Sequence, residues 1–239
     1  MKKILPGIGF FFGIVLVLWI VARLTGMLQY YKIPTPANEP NIKLGEKVFT
    51  TNLKDPKPYQ FIAFASSAED SIISRGMEHF KFGSHYLYRL CGVSGNILEM
   101  KNGVLVVDGK NFDEELNLKH EFEISTKAFN DIVEEGDKTE GNYRQGFPAN
   151  DSTLVELDIT QIKKYQPLLK LTPFISKDTA NGPFKWLDKN TTWTVDNFGP
   201  LTIPQGYYFC LGDNRHNALD SRFTGFIKAA DIKGVVLGK

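Results

Sequence analysis

Gly212-Asp213-Asn214-Arg215-His216-Asn217-Ala218-Leu219-Asp220-Ser221-Arg222-Phe223-Thr224-Gly225-Phe226 is a polar loop strung between two apolar runs, Tyr207 to Leu211 and Gly234 to Leu237. Asp and Asn bond their own backbone and favour turns, whereas short apolar runs closed by Gly, Pro, Asn or Asp read as strands. Working outward, the same pattern recurs at Lys47 to Thr50, Gln60 to Ala65, Tyr86 to Cys91, Asn96 to Met100, Val104 to Val107 and Thr192 to Val195. Asn102-Gly103 between two such runs is the strongest hairpin signal, because both residues tolerate the positive φ of a type I′ turn. Asp108-Gly109 starts another turn. The body is therefore predicted to be mostly β.

The chain has 239 residues, 28 Lys+Arg against 27 Asp+Glu, and a formal net charge of +1. That balance argues against a broad nucleic-acid surface, which needs a basic excess, so no nucleic-acid partner is expected. Hydrophobic content of 42% rules out wholesale disorder. Two cysteines, Cys91 and Cys210, make no disulfide scaffold, and no metal-ligand spacing surrounds them. No metal and no cofactor are expected. The two thiols sit in apolar runs and read as buried free cysteines, with a bridge open if their strands are neighbours.

Ile4 to Ala22 carries no charge over 19 residues, close to the run of about 20 that spans a bilayer as helix. It ends Val21-Ala22-Arg23-Leu24 without a small-residue cleavage site, so an uncleaved anchor is favoured over a signal peptide. Lys2 and Lys3 precede the run, while Arg23 and Lys32 follow it. This leans toward an N-terminus in the cytoplasm and a body outside. Tyr30 and Tyr31 suit the lipid interface. The stretch from Phe112 to Lys189 is more polar, holds the acidic cluster Asp131-Ile132-Val133-Glu134-Glu135, and reads as an insertion with short helices. The expected organisation is an anchor over 1–28, a first part of the β core over 29–111, an inserted subdomain over 112–189 and a second part of the core over 190–239.

Three segments carry a family resemblance. The first is Tyr31-Lys32-Ile33-Pro34-Thr35-Pro36-Ala37-Asn38-Glu39-Pro40, running on to Phe49. The second is Tyr88-Arg89-Leu90-Cys91-Gly92-Val93-Ser94-Gly95-Asn96, leading to the hairpin. The third is the loop Gly212 to Phe226. Together, and with Asp196-Asn197-Phe198-Gly199-Pro200 ahead of the third, they resemble the type I signal peptidases, membrane-anchored serine proteases that remove signal peptides from exported proteins. The resemblance implies a β-fold peptidase body preceded by one N-terminal transmembrane helix. It also implies a single-pass protein of the cytoplasmic (inner) membrane, with its body on the extracytoplasmic side against membrane lipid.

The family uses a Ser nucleophile and a Lys base kept neutral by desolvation. At the position matching the nucleophile this chain has Ala37, followed by Asn38 where the family has Met. At the position of the base it has Tyr88, and at the Ser that supports the base it has Ala218. A methyl group cannot attack a carbonyl, and a phenol with a pKa near 10 is a poor base at neutral pH. By the resemblance, Thr35 matches an oxyanion-hole hydroxyl. Asp220 and Arg222, with Ser221 between them, match groups that buttress the site. Asp213, Asn214 and Arg215 match the turn before it. Each also has a plainer reading: Asp213 and Asn214 build a turn, and Asp220 pairs with Arg222 or Arg89 for structure alone.

The expectation is a catalytically silent signal-peptidase homologue that binds signal peptides or preproteins, or an active signal peptidase or other export machinery. Two alternatives stand beside it. One is an active peptidase using substitutes, with Thr35 as nucleophile and His216 as base, and with Ser66, Ser67 and Ser84 as further hydroxyls. The other is a structural envelope protein on an inherited fold.

Overall fold

The structure, a computed structural model, describes residues 4–76, 83–134, 151–179, 183–187 and 192–239, with side chains from residue 9 onward and none for 131–134. Lys2, Lys3 and the side chains of the acidic cluster at 131–135 lie outside the described residues.

The apolar N-terminal run folds as helix α1 (Ile4–Thr25). Phe10, Phe11, Phe12, Leu16, Val17, Leu18 and Trp19 all face outward. Among the described residues no helix is long and apolar enough to cross a membrane. The end of α1 is tied down. Gly26 takes a positive φ, Leu28 N–H donates to Ala22 O at 3.1 Å, and Asn52 Nδ2 donates to Thr25 O at 2.8 Å. Thr51 Oγ1 adds a bond to Met27 O at 2.7 Å.

Strands β1 (Gln29–Lys32), β2 (Lys47–Thr51) and β3 (Phe61–Ala65) follow, then helix α2 (Ser67–Ser74) and the long strand β4 (His85–Val93). Ser66 starts α2 by accepting from Glu69 N–H at 3.2 Å, the usual cap for an otherwise unpaired helical donor. Strands β5 (Ile97–Lys101), β6 (Val104–Val107) and β7 (Lys110–Asn111) are joined by Asn102-Gly103 and Asp108-Gly109. All four turn residues have positive φ, as two-residue type I′ hairpins demand. The next elements are β8 (Lys119–Ser125), α3 (Thr126–Glu134), β9 (Ser152–Asp158), α4 (Ile159–Tyr165) and β10 (Thr172–Pro173). A reciprocal Asp158–Gln161 capping box opens α4. The chain closes with β11 (Phe198–Thr202), β12 (Tyr207–Leu211), α5 (Ser221–Thr224), β13 (Ile227–Lys228), a 3-10 turn (Ala229–Asp231) and β14 (Ile232–Val236).

Three sheets result, with strand orders β1-β2-β14-β3-β4-β12-β13, β11-β5-β6-β7 and β10-β8-β9. The third is built wholly from residues between Lys119 and Pro173, where the sequence suggested only short helices; its β8–β9 ladder runs from Lys119↔Asp158 to Ser125↔Ser152. The seven-stranded sheet curls. Its β1 edge returns to β4, placing Tyr31 Oη 2.8 Å from His85 Nδ1. Apolar faces meet in buried clusters. One holds Cys91, Leu98, Leu105, Phe184, Phe198 and Phe209, and another holds Ile62, Phe64, Leu90 and Cys210. Cys91 and Cys210 are both free and buried. Burial pushes the Cys91 thiol up to about 12, so it stays protonated.

One expected strand is absent. Thr192 to Val195 does not pair, because Thr194 Oγ1 accepts from both Asp196 N–H and Asn197 N–H. Thr194 N–H in turn reaches Asn197 O. This local turn outcompetes a ladder, while Trp193 packs edge-on against Phe184. The strand begins only at Phe198.

Candidate active-site region

The loop after β12 is held by buried charge. Asp220 Oδ2 accepts from Gly212 N–H at 3.1 Å and from Arg222 Nη2 at 2.7 Å, and its Oδ1 accepts from Arg222 Nε at 2.8 Å. Both side chains are essentially inaccessible, at 0% and 1%. Arg222 also donates to Val195 O and Arg215 O, and Ser221 Oγ accepts from Cys210 N–H. Arg89 pairs with Asp213, not Asp220, in a two-pronged contact at 2.7 and 2.5 Å. Its guanidinium lies 4.1 Å over the Phe61 ring. Arg215 forks onto Asp113 at 2.6 Å twice. Burial works against the Arg215 charge, but the Asp113 carboxylate outweighs it and holds the guanidinium more firmly protonated than usual. Asn214 donates through Nδ2 to Glu156 of β9 at 2.7 Å, fastening the third sheet to the loop.

The positions matched to nucleophile, base and base support come together. Ala37, Tyr88 and Ala218 belong to one apolar cluster. Ala37 O accepts from Asn214 N–H at 3.0 Å. A Cβ on Gly212 would stand 2.4 Å from Ala218 Cβ and 2.5 Å from Ala37 O, so only glycine lets this loop lie so close to the Ala218 methyl and the Ala37 backbone. Thr35 lies beside them in the chain and is exposed.

Tyr88 is buried, and its phenol is pushed well above 10, first by burial and then by the nearby Glu69 and Asp220 carboxyls. It therefore remains a neutral phenol. His216 is engaged at both ring nitrogens. Nδ1 accepts from Glu121 N–H at 3.1 Å, and Nε2 lies 3.0 Å from Asp196 Oδ2. Burial works to raise the Asp196 pKa, but the His216 bond and the Ser176 N–H outweigh it and Asp196 is held below its usual value. Neighbouring His120 is lowered to about 3, first by burial and then by the Arg215 charge.

Two features here go beyond the sequence reading, one that it missed and one whose contacts it could not give. Glu69, in the first turn of α2, is 1% exposed, and its carboxyl has no partner beyond the adjoining Ser66 hydroxyl, which only weakly opposes the effect of burial. Burial raises its pKa well above 4.5, and the Asp220 and Asp70 charges add to this. In sequence an acid after a Ser cap looks like an ordinary solvated helix start, so nothing marked it. The second feature is Asn38, which is 3% exposed. Its Nδ2 donates to Leu87 O at 2.6 Å, and its Oδ1 is buried without a partner.

Glu69 makes stability fall with rising pH. A folded pKa above the unfolded value means the native state keeps a proton that the unfolded chain releases. The contribution is complete below about pH 4.5 and is lost as pH climbs toward the folded value. Glu69→Gln is expected to flatten this limb, gaining stability over the wild type progressively as pH rises above about 4.5 in thermal melts. A constant difference across that range would show that Glu69 is not the titrating group.

A family model described as "Signal peptidase, peptidase S26" matches residues 6–238. The chain belongs to the type I signal peptidase family. Among its relatives, Signal peptidase I P of Bacillus subtilis subsp. natto is 27% identical over 222 residues, covering 91% of this chain and 84% of the relative. Signal peptidase I of Buchnera aphidicola subsp. Baizongia pistaciae is 25% identical over 259 residues, covering 99% and 76%. A crystal structure of a signal peptidase I from Enterococcus faecalis V583 aligns over 77% of this chain and 98% of that one, with 21% identity and a TM-score of 0.35. The turn residues Asp213, Asn214 and Arg215 and the buried Asp220–Arg222 pair border a cluster whose centre is apolar.

Proposed function

We infer that this chain is a catalytically silent, membrane-anchored signal-peptidase homologue that holds extended peptide without cutting it. The observation that carries the reading is Ala37, a buried alanine at the matched nucleophile position whose backbone carbonyl accepts from Asn214 N–H of the loop. Tyr88 supports it, since a phenol held well above pH 10 cannot take a proton from a hydroxyl. His216 supports it too, because both of its ring nitrogens are already engaged.

Peptide binding needs only backbone groups. The family holds substrate as an added strand, and main-chain bonds supply the affinity. Here β12 pairs with β4 only from Arg89 to Val93, so the β4 edge from His85 to Tyr88 has no strand partner on that side among the described residues. The anchor reading rests on the exposed apolar surface of α1 and the bonds that tie its end to β2. It places the body on the extracytoplasmic face, with membrane lipid, signal peptides or preproteins, and an active signal peptidase or other export machinery as partners.

The test is incubation of the detergent-solubilised full chain, carrying a photoreactive residue in place of Tyr86, with a preprotein. The expected result is uncut preprotein crosslinked through its signal peptide. Cleavage at a defined site, or no crosslink at any concentration, overturns the reading.

A further inference from the structure

The open edge of β4 is not empty. In the antiparallel β3–β4 ladder, Leu90 N–H donates to Gln60 O, and the register runs Phe61↔Arg89, Ile62↔Tyr88, Ala63↔Leu87. Antiparallel partners alternate between bonded and non-bonded pairs. Tyr88 and Tyr86 therefore face β3, and Leu87 and His85 turn their N–H and C=O groups to the other side. Arg89, the next residue of that set, is paired with Leu211. Beyond Leu211 the chain leaves the edge at Gly212, and the Asn38 carboxamide stands there instead, 2.6 Å from Leu87 O. A short step along the same seam, Tyr31 Oη meets His85 Nδ1.

We propose that Asn38 is an internal plug of this edge: its carboxamide N–H occupies the acceptor that the N–H of a bound peptide strand would use, so that peptide enters only by displacing it. The proposal rests on the reading of this chain as a peptide-holding homologue and adds what sets its affinity. A primary amide is a peptide group in miniature. Nδ2–H takes the place of a strand N–H, and the second half of the amide, Oδ1, is left buried and unbonded. An unbonded buried oxygen is a cost to the free protein, so the plug is held at the expense of one satisfied bond. The residue that the family has at this position, Met, has no donor with which to fill the edge.

The experiment measures binding of a fluorescent synthetic peptide carrying an Ala-x-Ala stretch, the small-residue pattern that ends secretory signal peptides, to the full chain in micelles. Wild type, Asn38→Ala and Asn38→Met are compared by anisotropy. Asn38→Met keeps the bulk of the side chain and guards against a folding defect from the smaller residue. Both variants are expected to bind about tenfold more tightly than wild type, because Leu87 O then waits for a donor that only the peptide brings. Equal or weaker binding by both variants overturns the plug and leaves the peptide reading standing. Absence of binding by all three proteins overturns both.

Discussion

Restoring the family's reactive groups through Ala37→Ser/Tyr88→Lys/Ala218→Ser in the Asn38→Met background will give only weak preprotein cleavage at pH 7, and adding Glu69→Gln will raise it about a hundredfold. The unmodified chain will not cut. Loss of the nucleophile alone costs on the order of a millionfold in serine proteases. The reason for the second step is Glu69. The site at residue 88 is buried within the field of the Glu69 and Asp220 carboxyls. Asp220 already spends its charge on Arg222, whereas Glu69 has no cationic partner and burial favours its protonated form. An amine introduced there takes the Glu69 proton and stays charged beside the carboxylate, and a protonated amine is no base. With Glu69→Gln the amine is desolvated without a counter-charge, and its pKa falls. Each unit of that fall is worth about tenfold in the neutral fraction at pH 7. The check is the pH–rate profile of the two proteins. The rising limb should move to lower pH by roughly two units when Glu69 is neutralised. Superimposable profiles would show that Glu69 does not govern the site.

The second large effect is on stability. Asp220→Ala will destabilise the protein by about 3–5 kcal/mol, because it leaves the guanidinium of Arg222 fully buried and unpaired. It also strips Gly212 N–H of its acceptor. In a chain of this length that is a fall in Tm of roughly 10 °C, measured by thermal denaturation in micelles. The double replacement Asp220→Leu/Arg222→Leu should recover part of the loss, since the cost lies in the orphaned charge and not in the absence of the pair. A loss below about 1 kcal/mol for Asp220→Ala would place the pair with the weak surface bridges, against its burial.

Much of this was written locally. The type I′ turns at Asn102-Gly103 and Asp108-Gly109 follow from two residues each that tolerate positive φ. Most of the strands follow from short apolar runs closed by turn residues. Where the local reading failed, at Thr192 to Val195, a single hydroxyl decided the matter: Thr194 Oγ1 bonds the two following N–H groups and holds the segment in a turn. The third sheet was missed because its strands are half-polar, Lys119-His120-Glu121-Phe122-Glu123-Ile124-Ser125 being one of them, and their charges are satisfied only in the folded protein.

What sequence could not contain is who meets whom. It offered Asp220 a choice of Arg222 or Arg89, and the curl of the sheet gave Arg89 to Asp213 and kept Arg222 for Asp220. It offered His216 as a base, and the packing of β8 and the turn at Asp196 consumed both ring nitrogens. Glu69 carries no signal of its own in one dimension, and Asn38 shows there only as a departure from the family's Met, not as a buried contact. An acid in a first helical turn and an asparagine before a Glu-Pro pair are ordinary surface residues until burial removes their water. The sequence by itself thus determined the β class and the family, and it set Ala37, Tyr88 and Ala218 at the positions on which the silent reading rests. Tertiary structure alone decided which charges are neutralised and which edge is covered, because desolvation and pairing depend on contacts between residues far apart in the chain.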